Sequence, residues 1–138
     1  MVKRLLPKEE LIYPDLSYQI LGVLFEVQNE LGNKYQEKHY QRALAIKLQK
    51  LGIPFKKEFM VKVKFADSEL GKFFVDFIID NKLILETKKV WRITHDDIRQ
   101  VLRYLEATEL KLAIIVNFSH RKLEYVRVIN PLAKISEA

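Results

Sequence analysis

Three segments of this chain are apolar on both faces of a strand. Phe73 to Ile79, Leu83 to Leu85 and Leu112 to Val116 hold almost no polar residues, and such runs belong at the centre of a sheet rather than at a wet edge. Leu112 to Val116 is the longest unbroken apolar run, far too short to cross a bilayer. One residue is out of place in this pattern: Asp76 is the only charge within Phe73 to Ile79.

The flanking segments supply the other elements. Pro14-Asp15 announces a helix whose stripe is Leu16, Ile20, Leu24, Val27 and Leu31, stopped by Gly32. A second helix runs from Gln36 to about Leu51 on Tyr40, Leu44, Leu48 and Leu51, and Gly52 and Pro54 end it. From Phe55 the period becomes two. Phe59, Val61, Val63 and Phe65 alternate with Met60, Lys62 and Lys64, a strand with one wetter face. Asp80-Asn81-Lys82 is a turn between two central strands. Thr94 and Asp97 form a capping box for a third helix with Ile98, Val101, Leu102 and Leu105 inward. Leu110 to Asn117 and Lys122 to Asn130 complete the order ααβββαββ, an α/β chain with a mixed sheet. Its 138 residues suit one domain, residues 1–138, with a core over about 16–130.

Composition narrows the chemistry. The absence of cysteine excludes disulfides, thiolate metal sites and a cysteine nucleophile. Three scattered histidines argue against structural zinc. No signal-peptide core follows Lys3 and Arg4, so the expectation is a soluble, cytoplasmic protein with no membrane partner. A net charge of +6 favours a polyanionic partner without deciding for one.

Asp76 needs a partner in its apolar strand, and the next strand offers Glu86 and Lys88, two apart and therefore on one face. A turn centred on Asn81 sets Ile78 against Ile84 and Asp76 directly against Glu86. Two carboxylates about 5 Å apart repel by roughly 3 kcal/mol at an effective dielectric of 20, so a cation is expected between them. Mg²⁺ (or Mn²⁺) meets that need, held by carboxylates, waters and phosphate oxygens. Lys88 would then orient a water or answer charge growing on phosphorus oxygens. Spacing alone favours the plainer reading, in which Lys88 neutralises Asp76 or Glu86 as a buried ion pair.

The chain also resembles the GxxExxY family, a branch of the PD-(D/E)xK nuclease superfamily, over roughly residues 18 to 130. The matching segments are Leu31-Gly32, Glu37-Lys38-His39-Tyr40 with Ala43-Leu44, Lys50-Leu51-Gly52-Ile53, Val75-Asp76-Phe77, Ile84-Leu85-Glu86-Thr87-Lys88, Gln100 through Leu105 and Asn117-Phe118. Lys34 stands where the family name has its glycine, and Val75 where the superfamily label has proline. The resemblance implies a restriction-endonuclease-like αβββαβ core with an extra N-terminal helix and a divalent-metal phosphodiesterase site. Asp76 and Glu86 would be metal ligands with Lys88 beside them, and Glu37 and Gln100 match further family positions. Glu37, on the stripe of Tyr40, is read as a third metal ligand or as an acid favoured by the helix dipole.

Lys89, Arg92, Arg99, Arg103 and Tyr104 are the candidate nucleic-acid contacts, joined by Arg121 and Lys122. A solvated face, with Arg99 paired to Asp96 and Arg103 to Glu106, is the competing reading. Trp91 is read as a base-stacking residue or, more plainly, as a cap on the core. The expected function is a metal-dependent nuclease acting on nucleic acid, with DNA ahead of RNA and a homodimer left open. The alternative is a catalytically inactive nuclease-like module that binds nucleic acid or a protein partner.

Overall fold

A computed structural model describes residues 12–136. The elements follow the expected order: α1 (Pro14–Leu31), α2 (Glu37–Lys50), β1 (Phe55–Phe65), β2 (Ser68–Ile79), β3 (Leu83–Lys88), α3 (His95–Thr108), β4 (Leu112–Asn117) and β5 (Glu124–Ile129). The strands form one sheet in chain order, antiparallel throughout except for β3 and β4, which α3 links as parallel neighbours. α1 and α2 cover one face, packing Leu24, Leu44 and Leu48 on Phe77, Leu85 and Ile114. α3 covers the other, packing Val101 and Leu105 on Ile84, Ala113 and Ile115. This double cover is why β3 and β4 are apolar on both faces. Among the described residues, no helix is long and apolar enough to cross a membrane.

The helix signals act where the sequence puts them. Pro14 occupies the first position of α1, and the Gly32 amide caps its end on the Gln28 carbonyl. Thr94 and Asp97 exchange both bonds of the capping box on α3. Leu51 departs from expectation: α2 ends at Lys50, Leu51 is 54% exposed, and Ile53 takes the core position after Gly52 turns the chain at φ +70°. The turn into α2 needs no glycine at Lys34, whose φ is not among the positive ones. Tyr40 builds it instead. The Tyr40 hydroxyl donates to the Gly32 carbonyl at 2.6 Å and accepts from the Tyr35 amide at 3.4 Å, while its ring stacks on Phe118 at 4.4 Å.

β1 and β2 hold the main irregularity. Phe55 and Phe77 lie against the α1/α2 core, whereas Phe59, Phe73 and Val75 lie against α3. Residues an even number apart in a regular strand share a face, so both strands invert their pleat between these positions. Pairing lapses at the same place: Lys57 pairs with Phe77 and Phe59 with Val75, but Glu58 and Asp76 make no pair. Glu58 sits there at φ 52°, an uncommon value for a residue with a Cβ. The inversion also corrects the expectation that Phe73 to Ile79 is buried on both faces, because Met60 and Phe74, paired across the hairpin, are both exposed.

The hydroxyl of Tyr40 gives a direct test of the turn. Tyr40→Phe keeps the ring stack but leaves the Gly32 carbonyl without its partner, at an expected cost of about 1–2 kcal/mol. Urea unfolding should show a lower midpoint with an unchanged slope, and an unchanged midpoint would mean that the turn holds itself.

Candidate active site

The register around Asn81 is as the sequence predicts, with Ile78 opposite Ile84 and Phe77 opposite Leu85. Backbone pairing stops there. Asp76 and Glu86 do not continue the ladder as a facing pair, which corrects the simple register argument, yet they converge by another route. The Asp76 amide donates to Glu86 Oε1 at 3.0 Å, and the Thr87 amide donates to Asp76 Oδ2 at 2.8 Å. Each carboxylate thus carries a hydrogen bond across the gap where the two strands no longer pair. The pleat inversion at Asp76 allows this, because it swings the strand away from its neighbour at that residue.

Thr87 and Gln41 complete the support, and sequence reasoning assigned neither a role. Thr87 is buried, its hydroxyl donates to Asp76 Oδ2 at 2.9 Å, and Gln41 of α2 donates to that hydroxyl at 2.8 Å. The Thr between Glu86 and Lys88 points to the opposite face, so only the fold reveals that it reaches Asp76.

Burial drives the electrostatics. Glu86 is 6% exposed, and burial first, then the Asp76 charge, push its carboxyl from the ordinary 4.5 to about 9. The amide of Asp76 and the charge of Lys88 pull the other way without prevailing. At neutral pH Glu86 is therefore protonated in the protein alone, and a proton relieves the repulsion for which the sequence argument invoked a cation. Glu37, at the first turn of α2, is exposed but lies within reach of the same field. Partial burial and the Asp76 charge raise its carboxyl, and Lys88 opposes them. Among the described residues no three His, Cys, Asp or Glu side chains are grouped closely enough to hold a metal. The tight unit is the pair Asp76 and Glu86, with Glu37 nearby.

Lys88 does not pair directly with either acid. Its ammonium lies 3.6 Å from Asp97 Oδ1 and 3.4 Å from Gln100 Oε1, both on α3. Asp97, assigned by sequence only to the capping box, holds the cap with Oδ2 and faces Lys88 with Oδ1. Gln100 joins the site as expected. Tyr104 sits elsewhere than on a nucleic-acid rim: it is buried, stacks on Phe73 at 4.2 Å, and its phenol is raised by burial and by the charges of Glu86 and Asp76.

The basic residues flank the site from two sides. Arg99 and Arg103 are exposed on α3, with Arg99 paired to Asp96 as the plain reading had it. Lys89 turns to the other face of the sheet and donates to the Asn33 carbonyl at 2.9 Å. Arg92 is exposed in the segment that follows β3. Trp91 does not cap the core, since it is 81% exposed.

A mixed sheet covered by helices on both faces, with two converging acids and a lysine at the end of its third strand, defines a restriction-endonuclease-like protein. A profile of the PD-(D/E)XK nuclease superfamily matches residues 14–128, and the chain belongs to that superfamily. One solved structure, described as "Crystal structure of SSO0001", has the same fold, with a TM-score of 0.56 at 16% identity over 87% of this chain. This chain spans 61% of that structure's length. No curated protein matches the sequence.

Because Glu86 is protonated in the folded protein up to about pH 9 but ionises near 4.5 when unfolded, the native state holds the extra proton between those values. Stability is then lost as pH rises through that window, with a slope on the order of 1 kcal/mol per pH unit. Urea unfolding in EDTA from pH 5 to pH 9 should show the decline, and Glu86→Gln should flatten it. A wild-type midpoint that climbs over this range would contradict the assignment.

Proposed function

We propose that this protein is a metal-dependent nuclease that hydrolyses phosphodiester bonds, with Asp76 and Glu86 as the metal ligands and Lys88 as the catalytic cation. One observation carries the reading: two carboxylates are brought together in a buried place at a cost. Asparagine and glutamine could accept the same amide bonds from Asp76 and Thr87 without repulsion, so the fold alone does not require acids there. A raised carboxyl such as that of Glu86, beside a second acid and near a lysine, marks a functional site.

The donor set fits Mg²⁺ or Mn²⁺. Asp76 and Glu86 set two carboxyl groups side by side, and Mg²⁺ needs only one or two protein carboxylates when waters and phosphate oxygens fill its shell. A bound divalent ion would polarise the phosphodiester and lower the pKa of an attacking water. Glu37 faces the same space, where it can hold a water of that shell. Thr87 and Gln41 fix the orientation of Asp76. Lys88, held beside Asp97 and Gln100, would present its ammonium to the non-bridging oxygens, where negative charge grows. Arg99, Arg103, Lys89 and Arg92 would bind flanking phosphates from both sides.

A second reading rests on the Lys88–Asp97 pair: if that pair is the whole role of Lys88, the domain is a binding module. Cleavage of single- and double-stranded DNA and RNA, with Mg²⁺, Mn²⁺ or EDTA, separates the two. Millimolar Mg²⁺ should raise the melting temperature of the wild type, by mass action on the folded state, and Asp76→Asn should abolish that response without destabilising the metal-free protein. Lys88→Ala should keep the melting response to metal and lose at least about a hundredfold in kcat. No metal-dependent shift, together with unfolding of Lys88→Ala, would establish Lys88 as a structural counter-ion.

A further inference from the structure

Trp91 is the one tryptophan of the chain and stands 81% exposed, three residues beyond Lys88. Its setting is rigid. Asn117, fully buried at the end of β4, clamps the neighbouring residue from both sides: its Oδ1 accepts from the Val90 amide at 3.1 Å and its Nδ2 donates to the Val90 carbonyl at 2.9 Å. Glu124 of β5 receives that same Asn117 Nδ2 at 2.9 Å and the Ile93 amide at 3.1 Å. His120 bonds the Trp91 carbonyl and meets the indole edge-on, with centroids 5.3 Å apart. The backbone on both sides of this exposed ring is therefore fixed by polar side chains, buried Asn117 before it and half-buried Glu124 after it.

The surroundings identify what the ring meets. Arg92 follows Trp91 directly, and Arg121 and Lys122 follow His120, all three exposed, so the ring stands among cations. An aromatic face among cations fits an unpaired base on a charged backbone. Distance agrees, because three residues span at most about 11 Å, roughly three base steps of 3.4 Å from Lys88. In a duplex the base faces are covered by their stacked neighbours, so this contact selects strands that are open near the scissile bond.

We propose that Trp91 is a base-stacking residue that directs this site to single-stranded or locally unpaired nucleic acid. The proposal rests on the nucleic-acid reading above, and the experiment separates the two. Emission from the lone tryptophan is followed in EDTA, where no cleavage runs, while oligothymidylate, oligouridylate or a blunt DNA duplex of the same length is added. Either single strand should quench and shift the emission at concentrations where the duplex does not, and the stronger of the two distinguishes DNA from RNA. Trp91→Ala, followed by fluorescence anisotropy of labelled strands, should bind single strands roughly tenfold more weakly with duplex affinity unchanged, and Trp91→Phe should recover most of the loss. Equal quenching by duplex, or wild-type single-strand affinity in Trp91→Ala, would overturn the stacking role. If charge reversal at Arg99 and Arg103 still weakened binding in that case, the nucleic-acid reading would stand without it. If no strand bound at low salt, both would fall.

Discussion

The site depends on a gap in the sheet. Where β2 leaves β3 beyond Phe77 and Leu85, the carboxylates of Asp76 and Glu86 bridge the strands by accepting the Thr87 and Asp76 amides. This exchange holds two carboxyl groups side by side, one of them, Glu86, buried. Backbone amides are obligatory donors when buried, so the acids cannot simply turn away from one another. Repulsion is thereby built into the chain trace, and what relieves it is a proton in the protein alone or, on the proposed reading, a cation together with a phosphate.

That gap was only half legible in the sequence. Alternation and the turn at Asn81 gave the register correctly up to Phe77 and Leu85, and Asp76 stood out as a lone charge in an apolar strand. The pleat inversion was hidden, because Phe73, Phe74, Val75 and Phe77 read as apolar on either face, and nothing at Glu58 announces a left-handed backbone. A helix stripe repeats over several turns and so averages out local accidents, which is why Ile20, Leu24, Tyr40, Leu44 and Val101 were placed correctly. A single irregular pair in a hairpin has no such redundancy. Thr87, Gln41 and Asp97 were missed for a related reason: each acts through contacts distant in sequence or through a second oxygen already assigned to a local cap. Tyr104 was displaced from the surface to the site wall by its stack on Phe73, a contact that follows from the inversion.

The two faces of the sheet supply different things. α2 brings neutral hydrogen bonds, through Gln41 and Thr87, to the acid that must keep its orientation. α3 brings charge and an amide, through Asp97 and Gln100, to Lys88. Separating these tasks keeps the ammonium off the carboxylates. A Lys88 in direct contact with Asp76 would neutralise the pair and remove the demand for a divalent ion, so its position over α3 is consistent with a site that still has to recruit one.

The first turn of α3 carries the last step of this reasoning. A helix N-terminus is a positive end and an ordinary place for an anion, and Lys88 lies close to this one, 3.6 Å from Asp97. The local chemistry argues against a phosphate on the helix end itself. Thr94 and Asp97 satisfy each other's amides, and Asp96 and Asp97 set negative charge in that turn, so an incoming phosphate would meet occupied donors and two carboxylates. The same acids offset the unfavourable placement of the Lys88 ammonium near a positive helix end. On the proposed reading, a phosphate here would therefore be met by the ammonium of Lys88 rather than by the helix.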